Sequence, residues 1–213
     1  MKGKLIAFEG VEGCGKSTQL QLLAAYLRSK GLEVVETLEP GGTPIGQQVR
    51  SLLLSPDYEI DPVTETFLFS ASRREHCLQV IKPALEAGKV VITDRFYLST
   101  MAYQAYGGNV DLADIRAMTK LATEGIEPDL WLIVDIEPEE GFRRKKGDKA
   151  DRIEQKDLDF HRRVRAGFRE LAEKRKSAVI IDGMADKSVV EVRIRKAVSV
   201  RLGIAEDRPT LNF

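Results

Sequence analysis

Short apolar runs alternate with longer stretches of helical periodicity along the chain. The runs are residues 5–8 (LIAF), 34–37 (VVET), 90–93 (VVIT), 130–134 (LWLIV) and 178–182 (AVIID). Most are apolar side by side, without the in–out alternation of a half-exposed strand. That is the pattern of strands in a parallel sheet covered on both faces. After the first run, Leu20, Leu23, Ala24 and Leu27 recur at i, i+3, i+4 and i+7, and Gly31 supplies a stop. The periodicity predicts further helices over 45–54, 62–87, 99–106, 112–124, 157–176 and 187–202. Strand–helix–strand repetition implies right-handed crossovers and a doubly wound α/β sheet of five parallel strands with helices on both faces. No internal repeat or long linker interrupts the pattern. A single domain is expected over 1–213, with a polar, loosely held tail at 203–213.

Composition narrows the functional classes. The 213 residues carry 33 basic and 33 acidic side chains, so general affinity for nucleic acid or an anionic membrane is not expected. At 43% apolar residues, the chain has enough to build a full core. No stretch reaches the ~20 apolar residues of a membrane span. The first apolar run is too short for a secretory signal. Cys14 and Cys77 lack metal or redox spacing, and two histidines are too few for a histidine-based metal site. A cytoplasmic protein with free thiols is expected.

The chemistry is announced by GVEGCGKS. Gly10, Gly15, Lys16 and Ser17 fulfil the pattern G-x-x-x-x-G-K-[ST] between a predicted strand and a predicted helix. Glycines let backbone N–H groups converge on phosphate oxygens, and the helix N-terminus adds positive potential. Lys16 is expected at the β- and γ-phosphates, and the Ser17 hydroxyl on Mg²⁺. The loop and its start of helix (Gly10, Val11, Glu12, Gly13, Cys14, Gly15, Lys16, Ser17 and Thr18) form the expected ATP site. Three classes share such a loop: small-molecule kinases, regulatory GTPases and ATPase motors. No N-K-x-D guanine signature is present, and the chain is short for a motor. Arginines at 50, 73, 95, 143, 144 and 152 suit transfer between two polyanions.

Further blocks follow in order: EPGGT (39–43), VRSLLL (49–54), FSASRREH (69–76), ITDRFYLSTMAYQ (92–104) and DRIEQ (151–155). With the phosphate loop, these resemble the thymidylate kinase family from residue 5 to about 180. The resemblance implies a P-loop kinase fold, ATP–Mg²⁺ as donor, dTMP as acceptor and a homodimer, with helices near Phe67 and Leu121 as a candidate interface. It implies that Arg50 and Arg95 clamp the acceptor phosphate, that Phe69 stacks on thymine and that Arg73 reads the base edge. Tyr103 and Gln104 match positions that touch the nucleoside. The same blocks bring Glu39, Pro40 and Ser99 into the acceptor set.

Asp94, at the end of VVITD, occupies the Walker-B-like place for ordering Mg²⁺, and Glu9 is a second candidate for metal or acceptor. Neither need act as a base, because a phosphate monoester with a second pKa of about 6 is largely dianionic at pH 7. The phosphate loop lacks arginine, which resembles the arrangement in which a lid supplies the cation. The lid is expected over 141–152, with Arg143 or Arg144 joined by Arg152 and with Gly141 and Gly147 as hinges. Glu12 is read as a solvated carboxylate, a contact to the acceptor sugar, or an organiser of lid arginines. Phe96 stands where the family commonly has Tyr or His. A kinase for dUMP or UMP and a non-catalytic nucleotide-binding regulator remain the alternatives.

Overall fold

The structure, a computed structural model, describes residues 3–147 and 149–204. Its centre is a parallel sheet of β1 (Lys4–Glu9), β2 (Val34–Leu38), β3 (Val90–Asp94), β4 (Leu130–Asp135) and β5 (Ala178–Asp182). The order across the sheet is β2-β3-β1-β4-β5. The three central strands carry the continuous apolar runs, and Leu5–Phe8, Val91, Ile92 and Trp131–Val134 are essentially inaccessible. Burial on both faces explains why those runs show no alternation. Each of the first four strands reaches one residue beyond its apolar run, to Glu9, Leu38, Asp94 and Asp135. The register Phe8–Asp94, Leu38–Asp94 and Glu9–Ile133 brings these ends to one edge. In open α/β sheets that carboxyl edge is where ligands bind.

The helices are α1 (Lys16–Ser29), α2 (Pro44–Leu54), α3 (Pro62–His76), α4 (Lys82–Glu86), α5 (Tyr97–Thr100), α6 (Leu112–Thr123), α7 (Pro138–Arg144), α8 (Leu158–Glu173) and α9 (Lys187–Leu202). Local chemistry sets several starts. The Thr43 hydroxyl caps α2 by accepting from Gly46 N at 3.0 Å, and Pro44 follows at the first turn. Asp61 accepts from Val63 N and Thr64 N at the start of α3, and Asp157 from Phe160 N at the start of α8.

Two departures from the expected helices matter for the site. The long helix predicted over 62–87 is interrupted by a π-helical turn, Cys77–Ile81, between α3 and α4. The segment predicted as 99–106 is α5 followed by a second π-helical turn, Met101–Gly107. α7 was not expected as an element of its own. At the other end, Gly203 adopts φ 67 and Ile204 N donates to Ser199 O at 3.1 Å, so the first two residues of the expected loose tail cap α9. The remainder, 205–213, lies outside the described residues.

Candidate active site

A cleft of about 780 Å³ opens at the carboxyl edge of the sheet. Its lining includes the phosphate loop at Glu12, Gly13, Gly15, Lys16, Ser17 and Thr18, the β2 exit at Glu39 and Pro40, Arg50 and Phe69 from the helices, Asp94 and Arg95 after β3, and Tyr103 and Gln104 from the second π turn.

The loop is shaped by its glycines. Gly10 takes φ 138, and a Cβ there would lie 2.3 Å from Val134 O. Gly13 takes φ 68, and a Cβ there would lie 2.2 Å from Gly141 O. Both positions demand close backbone approach and a conformation that side chains disfavour. No side chain caps the N-terminus of α1, leaving its amides directed at the cleft. The Lys16 ammonium is folded back on the loop, donating to Gly10 O at 3.1 Å and Val11 O at 2.9 Å. Cys14 is buried, with its sulfur 3.5 Å from Lys16 Nζ. The Ser17 hydroxyl donates to Asp94 Oδ2 at 2.6 Å. Two hard oxygens thus converge beside the phosphate position, a donor set that fits Mg²⁺ completed by substrate phosphates and water.

Glu9 does not share that place. It is fully buried, and its carboxylate accepts from Phe96 N at 3.0 Å, Ser99 N at 3.2 Å and Ser99 Oγ at 2.5 Å. Burial pushes its pKa up to about 7, against the opposing pull of Ser99 and Arg95. It sits under the cleft as a support for the turn after β3, with its oxygens already engaged.

Above it stands Arg95, at φ 73. Its guanidinium donates to Gly10 O at 3.1 Å, Ser99 Oγ at 2.9 Å and Tyr103 Oη at 3.3 Å, and pairs with Glu12. Tyr103 Oη also donates to Glu12 Oε1 at 2.9 Å. Glu12 is therefore neither a solvated loop carboxylate nor a partner of Arg143 or Arg144. Burial acts to raise its pKa, but Arg95 and then Lys16 outweigh that and hold it down at about 2. The anion in a loop built for anions is answered by the guanidinium expected to face the acceptor phosphate.

Elsewhere in the cleft, Arg50 donates to Pro40 O at 3.1 Å, and Phe69 forms part of the wall. Arg73 is buried behind this surface. Its Nε meets Glu39 Oε2 at 2.7 Å and its Nη2 donates to Thr100 Oγ1 at 3.0 Å, while Nη1 has no partner among the described residues. The other oxygen of Glu39 lies 2.9 Å from His76 Nδ1. Glu39 thus bridges Arg73 and His76 at the exit of β2. Phe96 is fully buried against Tyr97 and Trp131, a packing role that needs no ring hydroxyl.

The basic segment divides in two. Arg144, held by Glu140 at 2.7 Å and by Gly183 O at 3.1 Å, lines the cleft. Arg143 pairs with the same Glu140 but is 73% exposed and does not line the cleft. Lys145, the next residue of the same basic run, also lines it and pairs with Glu154. Arg152 departs from the expected ATP site: it is buried, pairs with Glu65 and donates from Nε to Leu53 O at 3.0 Å. Gly141 is no free hinge, since a Cβ there would lie 2.1 Å from Glu12 O.

Comparison with known proteins decides among the classes that share such a loop. A family model described as thymidylate kinase matches residues 8–194. The chain is 45% identical over 207 residues to a thymidylate kinase of Nostoc punctiforme, covering 95% of this chain and 98% of that one. It is 41% identical over 199 residues to a thymidylate kinase of Caldanaerobacter subterraneus, covering 93% and 96%. The crystal structure of thymidylate kinase from Ehrlichia chaffeensis matches with a TM-score of 0.76 at 34% identity, covering 93% of this chain and 99% of that one. The chain belongs to the thymidylate kinase family.

The P-loop kinase fold implied by the sequence resemblance is thereby the fold of this member of the thymidylate kinase family. Among the described residues, no helix is long and apolar enough to cross a membrane. Glu65 escaped the sequence reading, because an acid in the first turn of a helix is ordinarily explained by the helix dipole alone. Its burial, and its grip on Gln104 and Arg152, appear only in three dimensions.

Proposed function

We propose that this chain transfers the γ-phosphoryl group of ATP to dTMP, giving dTDP for dTTP synthesis, and that it works as a cytoplasmic homodimer. Family membership carries the acceptor and the donor. The observation that supports the reading within this chain is one cleft with two anion sites: the uncapped α1 N-terminus with Lys16 on one side, Arg95 and Arg50 on the other.

In this reading the loop amides, Lys16 and Thr18 bind the ATP phosphates. Ser17 and Asp94 would hold Mg²⁺, which when bound would neutralise negative charge on the donor phosphates. Arg95 offers a planar fork to the acceptor phosphate and Arg50 a second cation. Glu12 and Tyr103 hold that fork in place, and Ser99 over Glu9 supports it from below. Arg144 closes on the transferred group. Phe69 stacks on the base, Arg73 donates to its C4 carbonyl and Gln104 meets N3. The acceptor arrives as a dianion, so the chain positions and neutralises without abstracting a proton.

The test is ADP formation with a panel of monophosphates. Turnover with dTMP well above dCMP, UMP and dGMP is expected. ADP formation independent of any acceptor would instead support a nucleotide-binding regulator, and a preference for UMP would move the acceptor assignment.

A further inference from the structure

Gln104 is 2% exposed, and its two amide ends are in different situations. Nε2 donates to Glu65 Oε2 at 2.9 Å. Oε1 is buried with no hydrogen-bond partner among the described residues. The other Glu65 oxygen pairs with Arg152 Nη1. Arg152 is itself fixed, its Nε on Leu53 O at 3.0 Å and its backbone N on Leu54 O at 3.2 Å. Glu65 and Arg152 are both nine-tenths or more buried. A chain of contacts therefore runs from the end of α2, through Arg152 and Glu65, to an amide that lines the acceptor part of the cleft.

An amide side chain has a donor end and an acceptor end of almost the same shape. Which end faces a ligand is decided by what holds the other. A carboxylate only accepts, so Glu65 takes the NH₂ end and leaves the carbonyl for whatever occupies the cleft. An orphaned buried acceptor is costly until a donor meets it. Thymine and uracil present a donor at N3; cytosine presents an acceptor there. With the amide reversed, the preference would reverse.

We propose that Glu65 and Arg152 are positioning residues for base choice: the buried Arg152–Glu65 pair locks the Gln104 amide so that its carbonyl accepts from the N3–H of the acceptor base. The inference rests on the dTMP reading above. It removes Arg152 from the ATP side and makes it the anchor through which the end of the 141–152 segment joins the base pocket. Arg152 acts through Glu65, and Glu65 through Gln104.

Steady-state kinetics with dTMP, dUMP and dCMP test it, using wild type, Glu65→Gln, Glu65→Asp and Arg152→Met. Glu65→Gln lets either end of Gln104 face the base. It is expected to lower the ratio of kcat/KM for dTMP over dCMP about tenfold, chiefly by raising KM for dTMP, because the base is remote from the reacting phosphate. Results with dUMP should follow dTMP, since both carry N3–H. Glu65→Asp keeps a carboxylate and should retain more of the ratio. Arg152→Met should lower the ratio with KM for ATP within about twofold of wild type. Should a single variant fail to fold with one buried charge unpaired, the double variant Glu65→Gln/Arg152→Met removes both charges and must show the same loss of ratio. An unchanged ratio, an equal loss for all three acceptors, or a rise in KM for ATP at Arg152→Met would overturn the proposal. Wild type that does not prefer dTMP to dCMP would overturn the underlying dTMP reading itself, a result readable before any variant is made.

Discussion

Arg95 is where the two halves of the cleft meet, and its side chain makes four polar contacts while its backbone sits at φ 73. A non-glycine residue in that region costs on the order of 1 kcal/mol and persists where surrounding contacts over-determine it. Glu12, Ser99 and Gly10 do so here. Replacement Arg95→Lys keeps the charge and loses the fork, so kcat/KM for dTMP should fall at least about 100-fold. A loss under about fivefold would show that a point charge suffices.

Glu9 makes a second prediction at this scale. Its pKa stands at about 7 in the fold against an ordinary 4.5. Across that window the native state holds a proton that the unfolded chain releases, so stability falls as pH rises from about 4.5 to about 7. The loss is on the order of 3 kcal/mol. Urea unfolding at several pH values should show this slope in wild type and a much flatter one in Glu9→Gln. The last position of the first strand was legible as a site in the sequence, but not its role. A carboxylate at a strand end reads the same whether it faces the cleft or is buried beneath it.

Among the elements, the strands were the most legible. Continuous apolar runs have few explanations besides a doubly covered parallel sheet, and all five are strands. The π-helical turns were not legible, because apolar positions over one wide turn do not separate it from a 3.6-residue period. Yet the second such turn carries Tyr103 and Gln104 into the cleft. The basic segment was legible as charge only. Four basic residues in a row do not say which of them face inward; Arg144, over Gly183, and Lys145 line the cleft, and Arg143 stays outside. Arg144→Ala should therefore reduce kcat about tenfold or more, and Arg143→Ala less than about threefold. Equal effects would contradict the orientation of α7. The backbone contact between Gly141 and Glu12 ties the same helix to the phosphate loop. Gly141→Ala forces a Cβ against Glu12 O, and is expected to lower both thermal stability and kcat. Wild-type values for both would show that the two backbones can part freely.

At the scale of the whole molecule, the fold places chemistry by topology. The strand order puts β1 between β3 and β4, so the phosphate loop, the Asp94–Arg95 turn and α7 leave the sheet side by side. Phe67 and Leu121 are 59% and 78% accessible on α3 and α6, which pack against each other. Sedimentation equilibrium should give a dimer that weakens on Phe67→Glu or Leu121→Glu; a wild-type monomer at micromolar concentration would contradict the proposed assembly. The family itself was legible because its blocks each fix a backbone or charge requirement at this edge: EPGGT supplies the Thr43 cap and buried Glu39, and DRF the Arg95 turn. DRIEQ was recognisable as a block, whereas the destination of its arginine depends on α3, 87 positions earlier.

The most direct test of the account is transfer of label from [γ-³²P]ATP in the presence of Mg²⁺, with separation of the nucleotide products. The account predicts labelled dTDP from dTMP, formed by wild type and reduced at least about 100-fold in Lys16→Ala. Label released only as inorganic phosphate, or carried by another monophosphate in preference to dTMP, would contradict it.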